Sequence, residues 1–252
     1  MDTGIVVKSN VLAILEKQLK SRAKKHQYGF VVVGSATDAY MHHEETWKLT
    51  EGVLKLMLKY RFPVFISTKS TLILRDAELL KEIDKVAILP SDLKENLRHG
   101  VILSVSVSTM NEEITNSLEP GASTPERRLL ILQKLKHEGF LTGVNAIPVL
   151  PFISDSEEEL EKIISAAKQH GADHILVGGL TLFGNNAADS KQLYLNFLKR
   201  YDPSLIPKYE KLYGVNNFPP MRYLNELKLK AEKICKKYKI RTSILDQHVR
   251  TI

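Results

Sequence analysis

The sequence predicts an α/β protein that forms a partial parallel barrel and ends in a helical extension. Short apolar runs alternate with longer amphipathic stretches, and the runs are rich in Val, Ile and Leu, as strands buried on both faces should be. Five such runs are predicted strands: Phe30–Val33, Val64–Ile66, Val101–Val107, Leu141–Ile147 and His174–Val177. Gly4–Lys8 is a further candidate extended segment.

Amphipathic patterns predict the helices that alternate with these strands. Asn10 is expected to cap the first helix, and Ser156 is expected to cap another. Gly139 and Gly171 follow helical patterns at positions typical of helix ends. The predicted helices are Val11–Lys25, Glu44–Tyr60, Pro125–His137 and Ser156–His170. Repeated strand–helix units of this kind predict a parallel sheet with helices outside.

The last part of the chain has helical patterns only. Three helices are predicted there, with a break at Pro219 and Pro220. They are Lys191–Lys199, Ser204–Tyr213 and Met221–Tyr238. No linker or low-complexity stretch divides the sequence, so we expect a single domain over residues 1–252. The barrel is expected to cover about 1–185 and the helical extension about 186–252.

The composition is that of a globular protein, with 43% hydrophobic and 26% charged residues. No apolar run approaches the roughly 20 residues that span a membrane, and no secretory signal is recognisable, so a cytoplasmic location is expected. The net charge of +7 favours an anionic partner, either nucleic acid or an anionic cofactor. The alternative is that much of this charge is solvated helix surface, as at Lys17, Lys20, Arg22, Lys24 and Lys25. Cys235 is the only cysteine, and one thiol holds neither a zinc ion nor an iron–sulfur cluster alone.

Candidate ligand-binding residues follow the first strand, because ligands of parallel α/β proteins bind at the carboxyl ends of strands. These residues are Gly34, Ser35, Thr37 and Asp38. Glycine permits close backbone approach, and the polar side chains offer donors and acceptors to an amino or carboxylate group. The alternative is a strand-to-helix turn that Thr37 or Asp38 caps.

Lys69 follows the second strand and is expected at the mouth of the barrel. A cation there can pair with a ligand carboxylate or phosphate. Two alternatives stay open. Lys69 is either a surface residue, or the Schiff-base lysine of an aldolase-like lyase if burial lowers its pKa.

The third and fourth strands add further polar candidates. Ser104, Ser106 and Ser108 alternate with apolar residues, so they share one face of the third strand. In a barrel that face is the interior, whereas the alternative is a half-exposed edge strand. Asn145 and Pro148 close the fourth strand and complete the candidate site.

Two other groups have less specific patterns. Ser123 or Thr124 is expected to cap the following helix, in which Arg127 and Arg128 either reach an anion or lie in solvent. His42 and His43 are adjacent and have no third ligand at metal spacing, so no metal site is predicted.

Taken in order, these segments resemble the spore-photolyase-like radical S-adenosylmethionine (SAM) proteins. The resemblance runs from about Ile5 to Gly214, and the order of the segments carries it. The segments are Ile5–Asn10, Val33–Tyr40 with Glu44, Leu49 and Thr50, Ser67–Ser70 with Leu74–Asp76, Ser106–Thr109, Leu118–Ala122 with Arg127 and Arg128, and Pro148–Pro151 with Asp155.

The resemblance implies a partial (β/α)6 barrel of the radical SAM type, with SAM across its mouth. Gly34–Asp38 matches the segment that meets the methionine amino group, and Lys69 and Ser106 match positions that contact SAM. Asn145–Pro148 would lie near the adenine or ribose. The resemblance also implies a 4Fe–4S cluster that supplies the electron for SAM cleavage to a 5′-deoxyadenosyl radical.

Two departures from the family pattern limit what it implies. The family binds its cluster through three closely spaced cysteines just before the segment matching Ile5–Asn10, and no such cysteines are present. We therefore expect the chain alone to be catalytically incomplete, with the cluster ligands supplied by an upstream segment or a partner chain, unless it is a degenerate family member. Ala36 also replaces the hydrogen-donating cysteine of true spore photolyases, which argues against repair of the spore thymine lesion by that route.

Three functional hypotheses follow. The leading one is a radical SAM core domain, related to DNA-repair lyases, that lacks its cluster segment. The second is a non-enzymatic nucleic-acid-binding module that uses the Lys-rich segment Glu226–Lys239. The third is a barrel lyase that uses Lys69 as a Schiff base.

Overall fold

The computed structural model describes residues 10–35 and 37–245. The chain divides into two compact units. The first unit comprises Met1–Thr68 and Leu72–Ile102, and the second comprises Lys69–Thr71 and Leu103–Ile252. This division falls inside the predicted barrel and not near residue 186. The expected single domain stays a prediction.

The first unit contains two parallel strands and the helices around them. Strands β1 and β2 pair with Val31 opposite Val64 and Val33 opposite Ile66, so their carboxyl ends lie side by side. Helix α1 packs on helix α3. The elements are α1 (Val11–Lys24), β1 (Val31–Val33), α2 (Glu44–Trp47), α3 (Leu49–Tyr60), β2 (Val64–Thr68) and, after a 3-10 helix at Thr71–Asp76, α4 (Ala77–Val86).

The second unit continues the strand–helix alternation and ends in helices. Its elements are β3 (Val101–Ser106, which begins in the first unit), α5 (Glu112–Leu118), α6 (Pro125–His137), β4 (Leu141–Val149), α7 (Glu157–Gln169), β5 (His174–Gly179), α8 (Ser190–Tyr201), a 3-10 helix at Pro203–Leu205, α9 (Ile206–Tyr213) and α10 (Met221–Tyr238). Strands β4 and β5 pair in parallel, with Gly143 opposite His174. The five strands form one sheet in the order β1-β2-β3-β4-β5. The predicted α/β class, its parallel sheet and its C-terminal helices are confirmed.

The core of the second unit has two parts. One part joins the sheet to helices α6, α7 and α10 through residues such as Val144, Leu160 and Ile175. The other joins the loops after β4 and β5 to α8 and α9, and it includes Leu150, Leu180, Tyr194, Phe197 and Tyr209. The C-terminal helices therefore bury the residues that follow the strands, where the candidate site was expected.

Several local predictions are confirmed by backbone geometry. Ser156 Oγ accepts a hydrogen bond from Glu159 N at 3.2 Å, and Thr124 Oγ1 accepts one from Arg127 N at 3.4 Å. Gly139 and Gly171 follow their helices with φ of 94° and 82°, the left-handed region that a glycine adopts without steric cost. The edge-strand alternative for β3 is wrong, because this strand is third in the sheet and five of its six residues are buried.

Other local predictions need correction. The stretch Glu44–Tyr60 is not one helix, because Lys48 has a left-handed φ of 49° and separates α2 from α3. Trp47, the last residue of α2, is 42% exposed. Asn10 precedes α1 without a capping hydrogen bond from its side chain. Helices α4 and α5 were not predicted.

Among the helices of residues 10–35 and 37–245, none combines the length and the apolar character of a membrane span. The expected cytoplasmic location stays a prediction.

Candidate functional site

The loop after β1 turns on Gly34, which has a φ of 90°. A Cβ atom on Gly34 would lie 2.7 Å from the carbonyl oxygen of Ser67, so this position has no space for another side chain. The glycine thus lets the loop pass directly against the end of β2. Ser35 and Thr37 lie in the same bend, whereas Ala36 lies outside the described residues.

Asp38 holds this loop in place. Its Oδ1 accepts hydrogen bonds from Tyr40 N at 2.9 Å and from Thr68 Oγ1 at 2.6 Å, so the carboxylate ties the loop to β2. The bond to Tyr40 N is the local turn that the alternative interpretation of this segment expected. Ligand binding by Gly34, Ser35, Thr37 and Asp38 stays a prediction.

An ion network supports the chain that follows the loop. Glu44 is 6% exposed and accepts a hydrogen bond from Thr50 N at 2.9 Å. Arg75 donates to Glu44 Oε1 at 2.9 Å and to Asp76 Oδ2 at 2.8 Å. The bonds to Asp76 and Glu44 outweigh burial and raise the pKa of Arg75, so its charge is fixed. Buried Tyr40 has a raised pKa because of its burial and the nearby carboxylate of Asp76.

In the second unit, two cations hold Glu119. Lys69 Nζ lies 2.9 Å from Glu119 Oε1, and Arg128 Nη2 lies 2.6 Å from Glu119 Oε2. The side chain of Arg128 is only 1% exposed, and it also donates to the carbonyl oxygens of Ser123 at 2.7 Å and Ser106 at 2.8 Å. Arg128 therefore reaches a carboxylate of its own chain, whereas Arg127 is exposed.

The Lys69–Glu119 pair borders a cavity of about 180 Å³ in the second unit. Ser108 lies on its wall with 4% exposure, and Ser108 Oγ has no hydrogen-bond partner within residues 10–35 and 37–245. A buried hydroxyl without a partner is costly, so a polar ligand atom or water is expected beside it. The lining residues are Lys69, Ser108, Thr109, Ile114, Thr115, Leu118, Glu119, Pro148, Leu150, Leu180 and Tyr194.

The structure thus brings three predicted site residues to one cavity: Lys69, Ser108 and Pro148. Ser106 and Asn145 are not on its wall. The carbonyl oxygen of Ser106 accepts from Arg128, and the carbonyl oxygen of Asn145 accepts from Val107 N at 3.0 Å. Glu119 is the main residue that sequence reasoning left without a role. In the sequence, the only signal for a role of Glu119 was its position in the loop that precedes Arg127 and Arg128.

The contacts of Lys69 bear on two of the functional hypotheses. Its Nζ lies 2.9 Å from the Glu119 carboxylate, whereas a Schiff-base lysine has to present its amine to a carbonyl substrate. This ion pair therefore supports an anion-binding role of Lys69 better than a nucleophilic role.

The described residues do not fit an iron–sulfur cluster. Cys235 is 1% exposed and lies on α10, and burial raises the pKa of its thiol to about 12, far from the thiolate form that ligates iron. His42, His43 and Trp47 instead pack ring against ring. The ring centroids of His42 and His43 lie 3.6 Å apart, and those of His43 and Trp47 lie 4.9 Å apart. Residues 10–35 and 37–245 contain no group of three or more His, Cys, Asp or Glu side chains placed to hold a metal ion.

Comparison with solved structures relates this geometry to known proteins. A cysteine-to-serine mutant of spore photoproduct lyase matches with a TM-score of 0.57 and 14% identity, over 90% of this chain and 64% of the other. A second mutant, with bound AdoMet and dinucleoside spore photoproduct, matches with a TM-score of 0.58 and 15% identity, over 91% and 63% of the two chains. At these identities the likeness shows the fold. The chain shares the fold of the spore photoproduct lyases, as the resemblance in sequence predicted.

Sequence relatives extend the comparison. Uncharacterized proteins of Mycobacterium bovis and Mycobacterium tuberculosis are each 28% identical over 239 residues, which cover 95% of this chain and 65% of theirs. A Methanocaldococcus jannaschii protein is 26% identical over 153 residues, or 61% of this chain and 50% of its own. No family model matches the chain. The chain therefore spans about 65% of the length of its mycobacterial relatives.

Proposed function

We propose that this chain forms the SAM-binding part of a radical SAM enzyme. The observation that carries the proposal is the cavity in the second unit, where Lys69, Ser108 and Pro148 meet at the ends of the strands. These are positions at which the sequence predicted ligand contacts. The matched fold is also that of a protein solved with AdoMet bound.

The donor set of the cavity fits part of such a ligand. Lys69 offers an ammonium to a carboxylate, and Ser108 Oγ offers a hydroxyl that has no partner among the described residues. Leu150, Leu180 and Pro148 supply an apolar wall. A volume of about 180 Å³ is below the range of roughly 300–1,000 Å³ for small-molecule pockets, so the cavity takes one part of SAM.

Glu119 and Arg128 have a positioning role in this proposal. Arg128 is buried and bonded to two carbonyl oxygens, so Glu119 is fixed by its contact with Arg128. Glu119 in turn fixes Lys69 at 2.9 Å, and a fixed ammonium loses less freedom when it binds an anion. For the first unit, we propose separately that Gly34, Ser35, Thr37 and Asp38 contact a ligand amino group, as the resemblance implies.

Bound SAM would supply a cleavable carbon–sulfur bond, and a 4Fe–4S cluster would supply the electron that cleaves it. The described residues do not fit that cluster, and the 252-residue sequence contains one cysteine. We therefore propose that the cluster cysteines come from an additional segment or from a partner chain. The role of this chain is to bind and orient SAM.

Equilibrium dialysis with radiolabelled SAM tests the proposal. Lys69→Met removes the cation at the cavity, and we expect at least about tenfold weaker binding. Ser108→Ala should weaken binding by several-fold, because the ligand loses one hydrogen bond. Lys162→Met is the matched control, since Lys162 is an exposed lysine of the same unit that pairs with Glu159 at 2.5 Å.

The control variant should bind SAM like the unmodified chain. Equal losses in Lys69→Met and Lys162→Met, or no measurable binding by the unmodified chain, would contradict a SAM site at this cavity.

A further inference from the structure

Helix α1 has a concentration of positive charge on its exposed side. Lys17, Lys20, Arg22 and Lys24 belong to the helix, and Lys25 follows directly as its C-cap. All five are exposed. We call these five residues the α1 basic face. They make up a large part of the excess of lysine and arginine that gives the chain its net charge of +7.

The carboxylates of the described residues form no ion pair with this face, although the charge of Lys20, after Lys59 and Tyr60, contributes to lowering the pKa of Glu16. Glu16 is the only acidic residue of α1, and its Oε1 pairs with Lys59 at 2.7 Å and accepts from Tyr60 Oη at 3.1 Å. No ion pair joins a residue of the α1 basic face to a carboxylate within residues 10–35 and 37–245.

Helix α10, where the sequence predicted nucleic-acid binding, is different. It has more cations, but most of them are engaged. Lys233 pairs with Glu157 at 2.9 Å, Lys237 pairs with Glu161, and Lys228 pairs with Glu232 at 3.8 Å. These bonds tie α10 to α7 or run along its own surface, so its charge is largely compensated within the chain.

A general feature of helices accounts for only part of the α1 basic face. Cations in the last turn are favourable beside the negative end of the helix dipole, which explains Arg22, Lys24 and Lys25. It does not explain Lys17 and Lys20, which precede that turn. Lys17, Lys20 and Lys24 follow spacings of three and four, which place like charges beside one another at a small cost in helix stability.

The geometry points to the phosphate backbone of a nucleic acid as the partner of the α1 basic face, and we propose this interaction. Lys17 and Lys24 lie seven residues apart, about 10.5 Å along the helix at 1.5 Å per residue. This matches the rise over about three phosphates of one strand at 3.4 Å each. The proposal concerns the first unit and does not depend on SAM binding.

The same helix argues against a membrane surface as the partner. Helices that bind membranes insert an apolar face between lipids. The apolar side of α1 is already engaged, because α1 packs on α3 and Leu19 is 2% exposed. Ile14, at 49%, is the only residue of α1 among the large hydrophobic side chains that are exposed.

Fluorescence anisotropy with a labelled 20-nucleotide single strand and the matching duplex tests this surface. If the α1 basic face neutralises about four or five phosphates, the affinity for the duplex should fall roughly 10²–10³-fold between 50 and 200 mM salt. The variant Lys17→Gln/Lys20→Gln/Lys24→Gln should reduce the slope of log affinity against log salt by about 2 to 3. Glutamine keeps a helix propensity close to that of lysine, so α1 should still fold.

The matched control is Lys228→Gln/Lys233→Gln/Lys237→Gln, which removes the same charge from exposed positions of α10. We expect this control to keep most of the affinity and of the salt slope. Equal weakening in both variants would overturn the proposal, since net charge alone would then explain binding. Absence of oligonucleotide binding, or tighter α1-dependent binding to phosphatidylserine vesicles, would also overturn it. Because SAM binding is measured separately, either proposal can fail alone.

Discussion

His174, at the start of β5, is a buried histidine whose side chain has no hydrogen bond in the part of the chain that the structure describes. Its side chain is 0% exposed, and neither ring nitrogen has a partner there. The ring packs on Gly143, where a Cβ atom would lie 2.2 Å from Nε2. Burial, and then the charge of Arg241, lower the pKa of His174 to about 4. Sequence analysis identified the strand but could not show that this histidine is enclosed by a glycine of its neighbour.

This burial predicts a specific dependence of stability on pH. The folded state binds the proton of His174 with a pKa of about 4, whereas an unfolded histidine has a pKa of 6.5. The unfolded state therefore takes up more protons between these values, and stability falls as the pH falls from about 6.5 to 4. His174 should account for a loss of about 3 kcal/mol over that window.

Urea unfolding at pH 7.5, 5.5 and 4.5 measures this effect. His174→Phe keeps a ring against Gly143 without a titrating group, and it should remove most of the His174 contribution to the acid loss. His137→Gln changes an exposed histidine and should leave the pH dependence as it is. An unchanged acid loss in His174→Phe would show that other groups cause it.

At the scale of the elements, α6 shows how adjacent residues take opposite roles. The pattern predicted this helix with its correct bounds, and of the two predicted candidates for its cap, Ser123 and Thr124, the structure has Thr124. It could not distinguish Arg127 from Arg128, because both are long cations one residue apart. Only the packing shows that Arg128 points inward to Glu119 and to the carbonyl oxygens of Ser123 and Ser106.

Removing Arg128 should therefore destabilise the chain strongly. In Arg128→Met, Glu119 keeps only Lys69 as an ion-pair partner, and two carbonyl oxygens lose their donor. Breaking a buried ion pair on one side costs about 3–5 kcal/mol, and the partial exposure of Lys69 places the expected loss near the lower value, about 3 kcal/mol. Arg127→Met, at the exposed neighbouring position, should change stability by less than about 0.5 kcal/mol. Urea unfolding of both variants measures the difference, and similar values would contradict the structural role of Arg128.

Two of the elements that sequence analysis misjudged have separate physical causes. The break at Lys48 needs a left-handed residue, and lysine gives no signal for that conformation. Helix α5 is only seven residues long, too short for a clear apolar period, although Asn111 caps it with two hydrogen bonds. Glu119 follows this helix directly, so the carboxylate that holds Lys69 was outside every predicted element.

At the scale of the whole molecule, the rhythm of strands and helices and the order of the segments at strand ends were sufficient to predict the fold. Each parallel strand is a local apolar run, so its position is readable from sequence. The grouping of side chains at a site is not local. Lys69, Ser108 and Pro148 line one cavity, whereas Ser106 and Asn145, taken from the same strands, do not.

The chain also spans about 65% of its mycobacterial relatives, so the activity of a full-length protein need not reside in these residues.

Purified chain, reconstituted with iron and sulfide and then reduced in the presence of SAM, should form no 5′-deoxyadenosine above a protein-free control. The reason is that a cluster needs several thiolates, whereas this sequence has only Cys235, which is buried. Liquid chromatography with mass spectrometry measures the product. The same preparation should still bind radiolabelled SAM, which separates a missing cluster from a missing SAM site. Robust 5′-deoxyadenosine formation by these 252 residues alone would show that the chain is catalytically complete.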